Sequence, residues 1–302
     1  MKGEISRVVG EYSSGKSGHL LLVTAGIHGN EPSGVVALQR VFKELHQSRP
    51  KIKGTLVGIS GNRKALKKNV RYIDEDLNRI WTEENLKRDM PESSEQIEMG
   101  HIIGALNRYP QKNYGKRYFL DCHTTSSESL PYISVQVVNN NEQWANHFPV
   151  HIVRGFSDLI DGDIDHYLSS QGMTGFVFEG GQHQSQTAVE NHEAMIWLAL
   201  EGALGLDLET LSCYPKCVEN LAAKSASTKK TFDIVYRHSL GRGDEFKMEA
   251  GFKNFSKIGK DQLLALHNGK EIRSEQEGHI FMPLYQVEGD DGFFIIEEVE
   301  TP

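Results

Sequence analysis

Short apolar runs alternate with amphipathic stretches from the amino terminus to about residue 205. The apolar runs predict strands at residues 5–9, 19–25, 53–60, 117–121, 132–138 and 173–178. The amphipathic stretches predict helices at residues 33–47, 93–108, 142–146, 164–170 and 187–204. Strands that alternate with helices of this length are typical of an α/β fold, with a largely parallel sheet covered by helices on both faces.

The pattern changes after about residue 219. Ala, Lys, Ser and Thr dominate residues 219–231, which predicts a linker or an exposed turn. Short strand-like runs separated by glycines follow at residues 232–236, 263–266, 280–283 and 293–297. The sequence therefore predicts two domains, a catalytic one at residues 1–210 and a smaller β-rich one at residues 225–302.

Composition narrows the class of protein. A net charge of −8 over 302 residues argues against a nucleic-acid binder or a protein of anionic membrane surfaces. No stretch approaches the roughly 18 apolar residues of a transmembrane helix, and the first twenty residues lack the apolar core of a signal peptide. Three cysteines, an odd number, fit a reducing compartment, so we expect a cytoplasmic protein.

A tight turn after the second predicted strand carries His28 and Glu31. Gly26 and Gly29 predict a close approach of the backbone to another group, and Pro32 suits the first position of a helix. An imidazole nitrogen and a carboxylate oxygen are two of the three protein ligands that catalytic zinc commonly takes. A His and a Glu at this spacing also occur by chance, so the pair alone is a weak signal.

The fourth predicted strand ends at Asp121, and His123 follows two residues later. His123 would complete a zinc site with His28 and Glu31 and leave a fourth position open for water. Asp121 could orient a neighbouring group, although the sequence does not identify its partner. The alternative is a pair of polar residues that simply caps a loop at the end of a strand.

The segment at residues 71–79 concentrates charge in an acidic protein. Arg71, Asn78 and Arg79 could clamp a carboxylate, because a guanidinium group binds a carboxylate through two parallel hydrogen bonds. A solvated charged loop is the alternative. The basic cluster indicates a small anionic substrate.

Glu179 ends another apolar run and precedes two glycines. Beside a metal-activated water it could act as general base and then pass the proton to a leaving amine. A partly exposed loop residue is the alternative. His183 and His192 suggest a second metal site, but polar surface histidines are the favoured interpretation.

These four segments, in this order along the chain, resemble the succinylglutamate desuccinylase/aspartoacylase family, which is related to the zinc carboxypeptidases. The resemblance covers roughly residues 20–200 and lies in the pattern GxHGNE, RYIDxDLNR, DxHTT and a late ExG. It implies one zinc ion per chain, bound by His28, Glu31 and His123, with Glu179 as general base and acid. It also implies a zinc-carboxypeptidase-like α/β domain with a mixed sheet flanked by helices, followed by a smaller β-rich domain.

The resemblance further implies that Arg71 helps to polarise the scissile carbonyl, while Asn78 and Arg79 hold a substrate carboxylate. Aspartoacylases carry a Tyr and an Arg shortly before the catalytic Glu, where they contact the acidic group of the substrate. Tyr167 could stand in for that Tyr, but no Arg lies between Arg154 and the catalytic position.

Four aspartates occupy the stretch where that Arg would lie, and they would repel a second carboxylate if they faced the substrate. A solvated acidic face is the favoured interpretation. The four residues are Asp158, Asp161, Asp163 and Asp165.

The sequence as a whole predicts a zinc-dependent amidohydrolase, a deacylase that acts on an N-acyl amino acid or a similar small amide bearing a carboxylate. Two alternatives stay open, a zinc carboxypeptidase that acts on peptides and a non-catalytic domain that binds a metal or ligand. The expected partner is a small anionic amide, with neither a nucleic acid nor a membrane. The sequence specifies neither the acyl group nor the amino acid, and it does not exclude a homo-oligomer.

Overall fold

A mixed β-sheet runs through the protein and positions the residues that the sequence singles out. The computed structural model describes residues 4–156, 159–183, 185–212, 215–225, 229–286 and 289–300. The strands are β1 Val8–Ser13, β2 His19–Ala25, β3 Gly54–Ser60, β4 Arg117–Thr125, β5 Tyr132–Val135, β6 His151–Arg154, β7 Thr174–Gln182, β8 Thr231–Ser239, β9 Phe246–Met248, β10 Ser256–Ile258, β11 Leu263–His267, β12 Lys270–Arg273, β13 Gly278–Phe281 and β14 Asp291–Val299. The helices are α1 Ser33–Ser48, α2 Arg63–Lys68, α3 Glu83–Leu86, α4 Ser94–Leu106, α5 Asn141–Ala145, α6 Ile164–Ser170, α7 Gln186–Leu204 and α8 Lys216–Ser225.

The larger sheet has the strand order β1-β3-β2-β4-β7-β5-β6-β8-β14-β13-β10. Its centre, from β3 through β2 and β4 to β7, is parallel, whereas β1 and β5 join that centre in antiparallel orientation. A smaller antiparallel sheet has the order β12-β11-β9. The mixed sheet and the smaller β-rich carboxyl-terminal part are confirmed, although parallel pairing is less extensive than the alternation of elements predicts.

Strand β2 is buried on both faces of the sheet, which explains its unbroken apolar run. Leu21 and Val23 pack into the core formed with α1 and α7. Leu20 and Leu22 pack into a second core formed with α4 and α6. Helices therefore cover both faces, as predicted. Among the helices of the described ranges, none combines the length and apolar character that crossing a membrane requires.

Four of the carboxyl-terminal strands continue the larger sheet, whereas β9, β11 and β12 form the smaller one. Strand β8 pairs in parallel with β6, and β14, β13 and β10 extend the sheet beyond it. A buried cluster joins this part to β5 and β6. Its members are Tyr132, Val153, Phe232, Phe281, Phe294 and Ile296. The division into domains at residues 1–210 and 225–302 stays a prediction.

The structure differs from the predicted elements at several strand ends and in short elements that were not predicted, among them α2, α3, β9, β10 and β12. Strands β4 and β7 extend to Thr125 and Gln182, so polar residues predicted beyond these strands belong to them. Strand β1 lies later than the predicted strand at 5–9, and the short β6 was not predicted. Helix α8 occupies part of the predicted linker, because Val218 and Leu221 pack into the core beside α7. Residues 226–228 of that linker lie outside the described ranges.

Candidate active site

The turn between β2 and α1 brings His28 and Glu31 together at the carboxyl end of β2. Gly26 has a φ of 71°, a left-handed conformation that favours glycine. A Cβ atom on Gly29 would lie 2.1 Å from the backbone carbonyl carbon of Ala65, so the turn packs against α2 too closely for any side chain. The close backbone approach predicted from the glycines is therefore present.

His28, Glu31 and His123 converge on one point. One potential ligand atom from each lies within 4.8 Å of the other two, and all three residues are buried. Nδ1 of His28 lies 2.9 Å from Oε1 of Glu31, and Nδ1 of His123 lies 3.3 Å from Oε2 of Glu31. The backbone amide of Thr124 donates a hydrogen bond to Oε2 at 2.7 Å, which fixes the carboxylate between the two rings. The structure thus brings together the three residues predicted as metal ligands.

Each of the two histidines contacts a second carboxylate through its other ring nitrogen, Nε2. Nε2 of His28 lies 3.0 Å from Oδ1 of Asp76, and Nε2 of His123 lies 2.8 Å from Oδ2 of Asp121. The Thr24 hydroxyl donates a hydrogen bond to Asp121 at 2.6 Å and fixes that carboxylate in turn. A carboxylate at Nε2 holds the proton on that nitrogen and leaves the Nδ1 lone pair for a cation. The partner of Asp121 is therefore His123, and sequence analysis missed the equivalent role of Asp76, which lies within the charged segment.

The electrostatics of this group favour positive charge. Burial alone would raise the pKa of Glu31, but the charges of His28 and His123 and their hydrogen bonds hold that pKa well below its usual range. Burial alone would lower the pKa of His123, but the charge and hydrogen bond of Asp121 raise it well above its usual value. At Glu31 and His123, interactions with charged neighbours thus outweigh burial. The positive charge that they favour can come from protons or from a metal cation.

Glu179 lies beside His123, because the two residues are register partners on the neighbouring parallel strands β4 and β7. Its side chain is buried, and Oε2 has no hydrogen-bond partner in the described part of the chain. Burial and the charges of Glu31 and Asp121 raise the pKa of Glu179 to about 8, against the opposing charge of His123. A partly exposed loop residue, the alternative interpretation, is therefore wrong.

Tyr132 lies next to Glu179 on the neighbouring strand β5, and the sequence did not single it out. It is the register partner of Glu179 across the antiparallel pair β5 and β7. Its hydroxyl is buried without a hydrogen-bond partner among the described residues. Burial and the charges of Glu179 and Glu31 raise its pKa well above the usual value, so the hydroxyl remains a proton donor. Only the strand pairing reveals its position, since the sequence presents it as one more apolar residue of a strand.

The three residues of the predicted carboxylate clamp take different positions. Arg71 binds Asp76 through Nε at 3.1 Å and through a terminal nitrogen at 2.8 Å. The side-chain oxygen of Asn78 accepts a hydrogen bond from the backbone amide of Ile164 at 3.0 Å, which ties this residue to α6. Arg79 donates one hydrogen bond to the carbonyl of Asn78 at 2.8 Å. Arg79 lines the cavity, and no salt bridge of the described residues includes it.

One cavity with two parts surrounds these groups. The inner cavity, with a volume of about 90 Å³, is lined by the metal-ligand group together with Tyr132, Glu179, Asp163, Asp165 and Phe281. The cavity mouth, of about 430 Å³, includes Tyr72, Glu75, His183 and Leu284. Arg71, Arg79, Thr124, Phe156 and Met282 line both parts. Phe281 and Met282 come from the carboxyl-terminal part, which therefore supplies one wall.

Tyr167 lies apart from the cavity. It is partly buried, packs on Trp81 with ring centroids 5.0 Å apart at the edge of the second core, and does not line the cavity. The structure therefore does not bring it to the substrate position that the sequence predicts, because its place on α6 directs it into the apolar layer.

The favoured interpretation of the aspartates as a solvated face is wrong for two of them. Asp163 and Asp165 are buried and line the inner cavity, whereas Asp161 is exposed. Asp158 lies outside the described residues. The segment turns inward because Asp163 caps α6, accepting a hydrogen bond from the backbone amide of His166 at 2.7 Å.

The two later histidines support the site instead of forming a second metal centre. Nε2 of His192 lies 3.0 Å from the carbonyl oxygen of His123, and burial lowers the pKa of His192 to about 4. Nδ1 of His183 lies 2.7 Å from the hydroxyl oxygen of Thr124. A surface position for His192 is therefore wrong. Within the described ranges, the one group of three residues placed to hold a metal is His28, Glu31 and His123.

The sequence matches a known protein family. Residues 17–192 match the family model described as the succinylglutamate desuccinylase/aspartoacylase catalytic domain. The succinylglutamate desuccinylase of Paraburkholderia xenovorans is 31% identical over 107 residues, which cover 34% of this chain and 31% of that protein. The match thus covers about a third of the length of that relative.

Two further comparisons extend over most of the chain. The succinylglutamate desuccinylase of Pseudoalteromonas atlantica is 22% identical over 280 residues, which cover 87% of this chain and 76% of that protein. The crystal structure of a succinylglutamate desuccinylase/aspartoacylase from Rhodobacter sphaeroides superposes with a TM-score of 0.68 at 15% identity, covering 95% of this chain and 87% of that chain. At this identity the structural match establishes a shared fold.

Proposed function

The chain belongs to the succinylglutamate desuccinylase/aspartoacylase family of deacylases, and from that premise we propose that it is a zinc-dependent amidohydrolase. The substrate is an N-acyl amino acid or a similar small amide that carries a carboxylate. The observation that carries this proposal is the convergence of His28, Glu31, His123 and Glu179 in one cavity with two arginines. A cytoplasmic location and a small anionic partner are parts of the same proposal.

Zinc fits the residues that would hold it. Two imidazole nitrogens and a carboxylate oxygen form a donor set typical of catalytic zinc, which keeps a fourth position for water. Asp76 and Asp121 behind the rings are the outer carboxylates that zinc-binding histidines generally have. When bound, zinc supplies a Lewis acid that lowers the pKa of water to about 7 and polarises a carbonyl group.

Glu179 moves the proton in the proposed reaction. Oε2 of Glu179, which has no hydrogen-bond partner among the described residues, accepts a proton from the water that attacks the acyl carbon. Glu179 then donates that proton to the amide nitrogen as the carbon–nitrogen bond breaks. A cation held by His28, Glu31 and His123 would offset the charges of Glu31 and Asp121, and Glu179 would then have a lower pKa, towards the ionised form that a base requires.

The arginines position the substrate and stabilise developing charge. Asp76 contacts both Arg71 and His28. The guanidinium group of Arg71 therefore has a fixed position beside the proposed metal ligands, where it can stabilise the oxyanion. Arg79 has only a backbone carbonyl as its hydrogen-bond partner in the described part of the chain, so its other donors are available to a substrate carboxylate. Asn78 completes the clamp through its amide nitrogen, because its side-chain oxygen is bound to Ile164.

A hydrolysis panel tests the proposal. The zinc-loaded protein is assayed with N-acetyl and N-succinyl amino acids and, in parallel, with dansylated dipeptides. The His123→Ala variant, purified in the same way, measures hydrolysis by contaminating enzymes. We expect release of free amino acid from N-acyl amino acids by the wild type alone. Cleavage of the dipeptides with no cleavage of any N-acyl amino acid would contradict the proposal and favour a carboxypeptidase.

A further inference from the structure

Asp165 is a buried carboxyl group of the inner cavity that the proposed mechanism does not use. Only 5% of its surface is exposed. Oδ2 accepts a hydrogen bond from Nε2 of Gln136 at 2.7 Å, whereas Oδ1 is buried with no hydrogen-bond partner among the described residues. Leaving a buried polar atom unpartnered is costly, so Oδ1 is suited to a donor that a ligand brings into the cavity.

The surroundings of Asp165 indicate the charge of that donor. Asp163 lines the same cavity, and its two carboxylate oxygens are already used by the backbone amide and Nδ1 of His166. Burial and the charges of Asp163 and Asp121 raise the pKa of Asp165 well above its usual value. This end of the cavity therefore disfavours a second substrate carboxylate and favours a cation.

Asp165 lies on the same side of the site as the carboxylate clamp. Ile164, the residue before it, donates its backbone amide to the side chain of Asn78 at 3.0 Å. The segment before α6 also lies against the clamp, because a Cβ atom on Gly162 would come within 2.3 Å of the Arg79 carbonyl oxygen. The same half of a substrate, the amino acid, can therefore place its carboxylate at Arg79 and its side chain at Asp165.

We propose that Asp165 binds a protonated amine on the side chain of the substrate amino acid, so that N-acyl diamino acids are preferred to N-acyl acidic amino acids. This inference rests on the proposed function, because it takes the carboxylate at Arg79 from that function. The ammonium group donates to Oδ1, while Gln136 holds Oδ2. Asp165 thus acts as a residue that determines specificity, on the segment where aspartoacylases carry an Arg.

Binding measurements with three amino acids of similar side-chain length test this proposal without any catalytic assay. Calorimetry measures the affinity of the zinc-loaded protein for ornithine, for its neutral isostere norleucine and for glutamate. We expect ornithine to bind about tenfold more tightly than norleucine, as a charge-assisted hydrogen bond predicts, and glutamate to bind most weakly. Binding of norleucine or glutamate that is as tight as that of ornithine, or tighter, would overturn the proposal. This measurement uses the wild-type protein alone.

Substitutions then assign the preference to Asp165. In Asp165→Asn we expect the ratio of ornithine to norleucine affinity to fall towards one. The matched control Asp161→Asn removes an equal charge from an exposed position in the same segment, and we expect it to keep the ratio. Thermal unfolding and zinc content of each variant show whether it is folded. An unchanged ratio in a folded Asp165→Asn variant would contradict the proposal.

Hydrolysis of the Nα-acetyl derivatives of the same amino acids separates this inference from the proposed function. Hydrolysis with no preference for the ornithine derivative would overturn the amine site and leave the deacylase function standing. Preferential binding of ornithine with no hydrolysis of any derivative would support the amine site and contradict the deacylase function. No binding of any of the three amino acids would contradict the amine site.

Discussion

His123 and Glu179 are register partners on the adjacent parallel strands β4 and β7. The backbone hydrogen bonds of the sheet therefore fix the distance between the proposed metal ligand and the proposed base, with no dependence on loop conformation. Tyr132 occupies the next position of the same row on β5. A site built on strands holds its reacting groups more rigidly than one built on loops.

Replacing Glu179 with Gln separates metal binding from proton transfer. The amide keeps the size of the side chain but cannot accept a proton from water. We expect the variant to retain about one zinc ion per chain and to lose about 10²–10⁴-fold in kcat. Zinc analysis and steady-state kinetics measure the two quantities. Loss of the metal with retention of activity would remove Glu179 from the role of base.

Arg79→Ala tests the carboxylate clamp. Losing a charge-assisted pair should raise KM for N-acyl amino acids by about 10–100-fold, with a smaller effect on kcat. The same substrates with the carboxylate converted to a primary amide provide the control, since they do not need the guanidinium group. An unchanged KM for the carboxylate substrates would exclude Arg79 from the clamp.

Asp121→Asn tests the carboxylate behind His123. We expect the dissociation constant for zinc to rise by about 10–100-fold, because His123 loses the negatively charged acceptor that orients its ring. Competition with a chromogenic chelator measures the affinity. The exposed Asp161→Asn variant controls for the change in net charge. Equal zinc affinity in both variants would show that Asp121 does not support the metal site.

Gly29→Ala tests the packing of the turn that carries His28 and Glu31. The added methyl group would clash with the backbone of Ala65, so we expect a loss of about 1–3 kcal/mol in the free energy of unfolding. Gly104→Ala, at an exposed position of α4 with no atom within 4 Å of the added Cβ, should be neutral or stabilising. Urea denaturation measures both changes. Equal stability of the two variants would contradict the close packing of this turn.

The residues at the carboxyl ends of central strands could be found from the sequence, because apolar runs locate the strands and polar residues interrupt them there. His28, Glu31, His123 and Glu179 all carry this local signal. Tyr132 does not, since its place in the site depends on antiparallel pairing between β5 and β7.

Asp163 and Asp165 were predicted to be exposed, but the structure buries them. A run of acidic residues is typical of a solvated surface, and composition alone gives no reason to bury it. The hydrogen bonds from Ile164 to Asn78 and from His166 to Asp163 turn this segment inward. Both hydrogen bonds form only in the folded chain. The pattern of hydrophobic residues does not predict the bond between Ile164 and Asn78, which lie far apart in the sequence. Helix α8 was missed for a similar reason, because its support comes from packing against α7.

The decisive experiment compares the zinc content of the wild-type protein, purified without chelators, with that of the His123→Ala variant. Circular dichroism shows whether the variant keeps the fold. We expect about one zinc ion per wild-type chain and a folded variant that has lost it. A wild-type protein that neither contains zinc nor takes it up when zinc is supplied would show that His28, Glu31 and His123 do not form a zinc site.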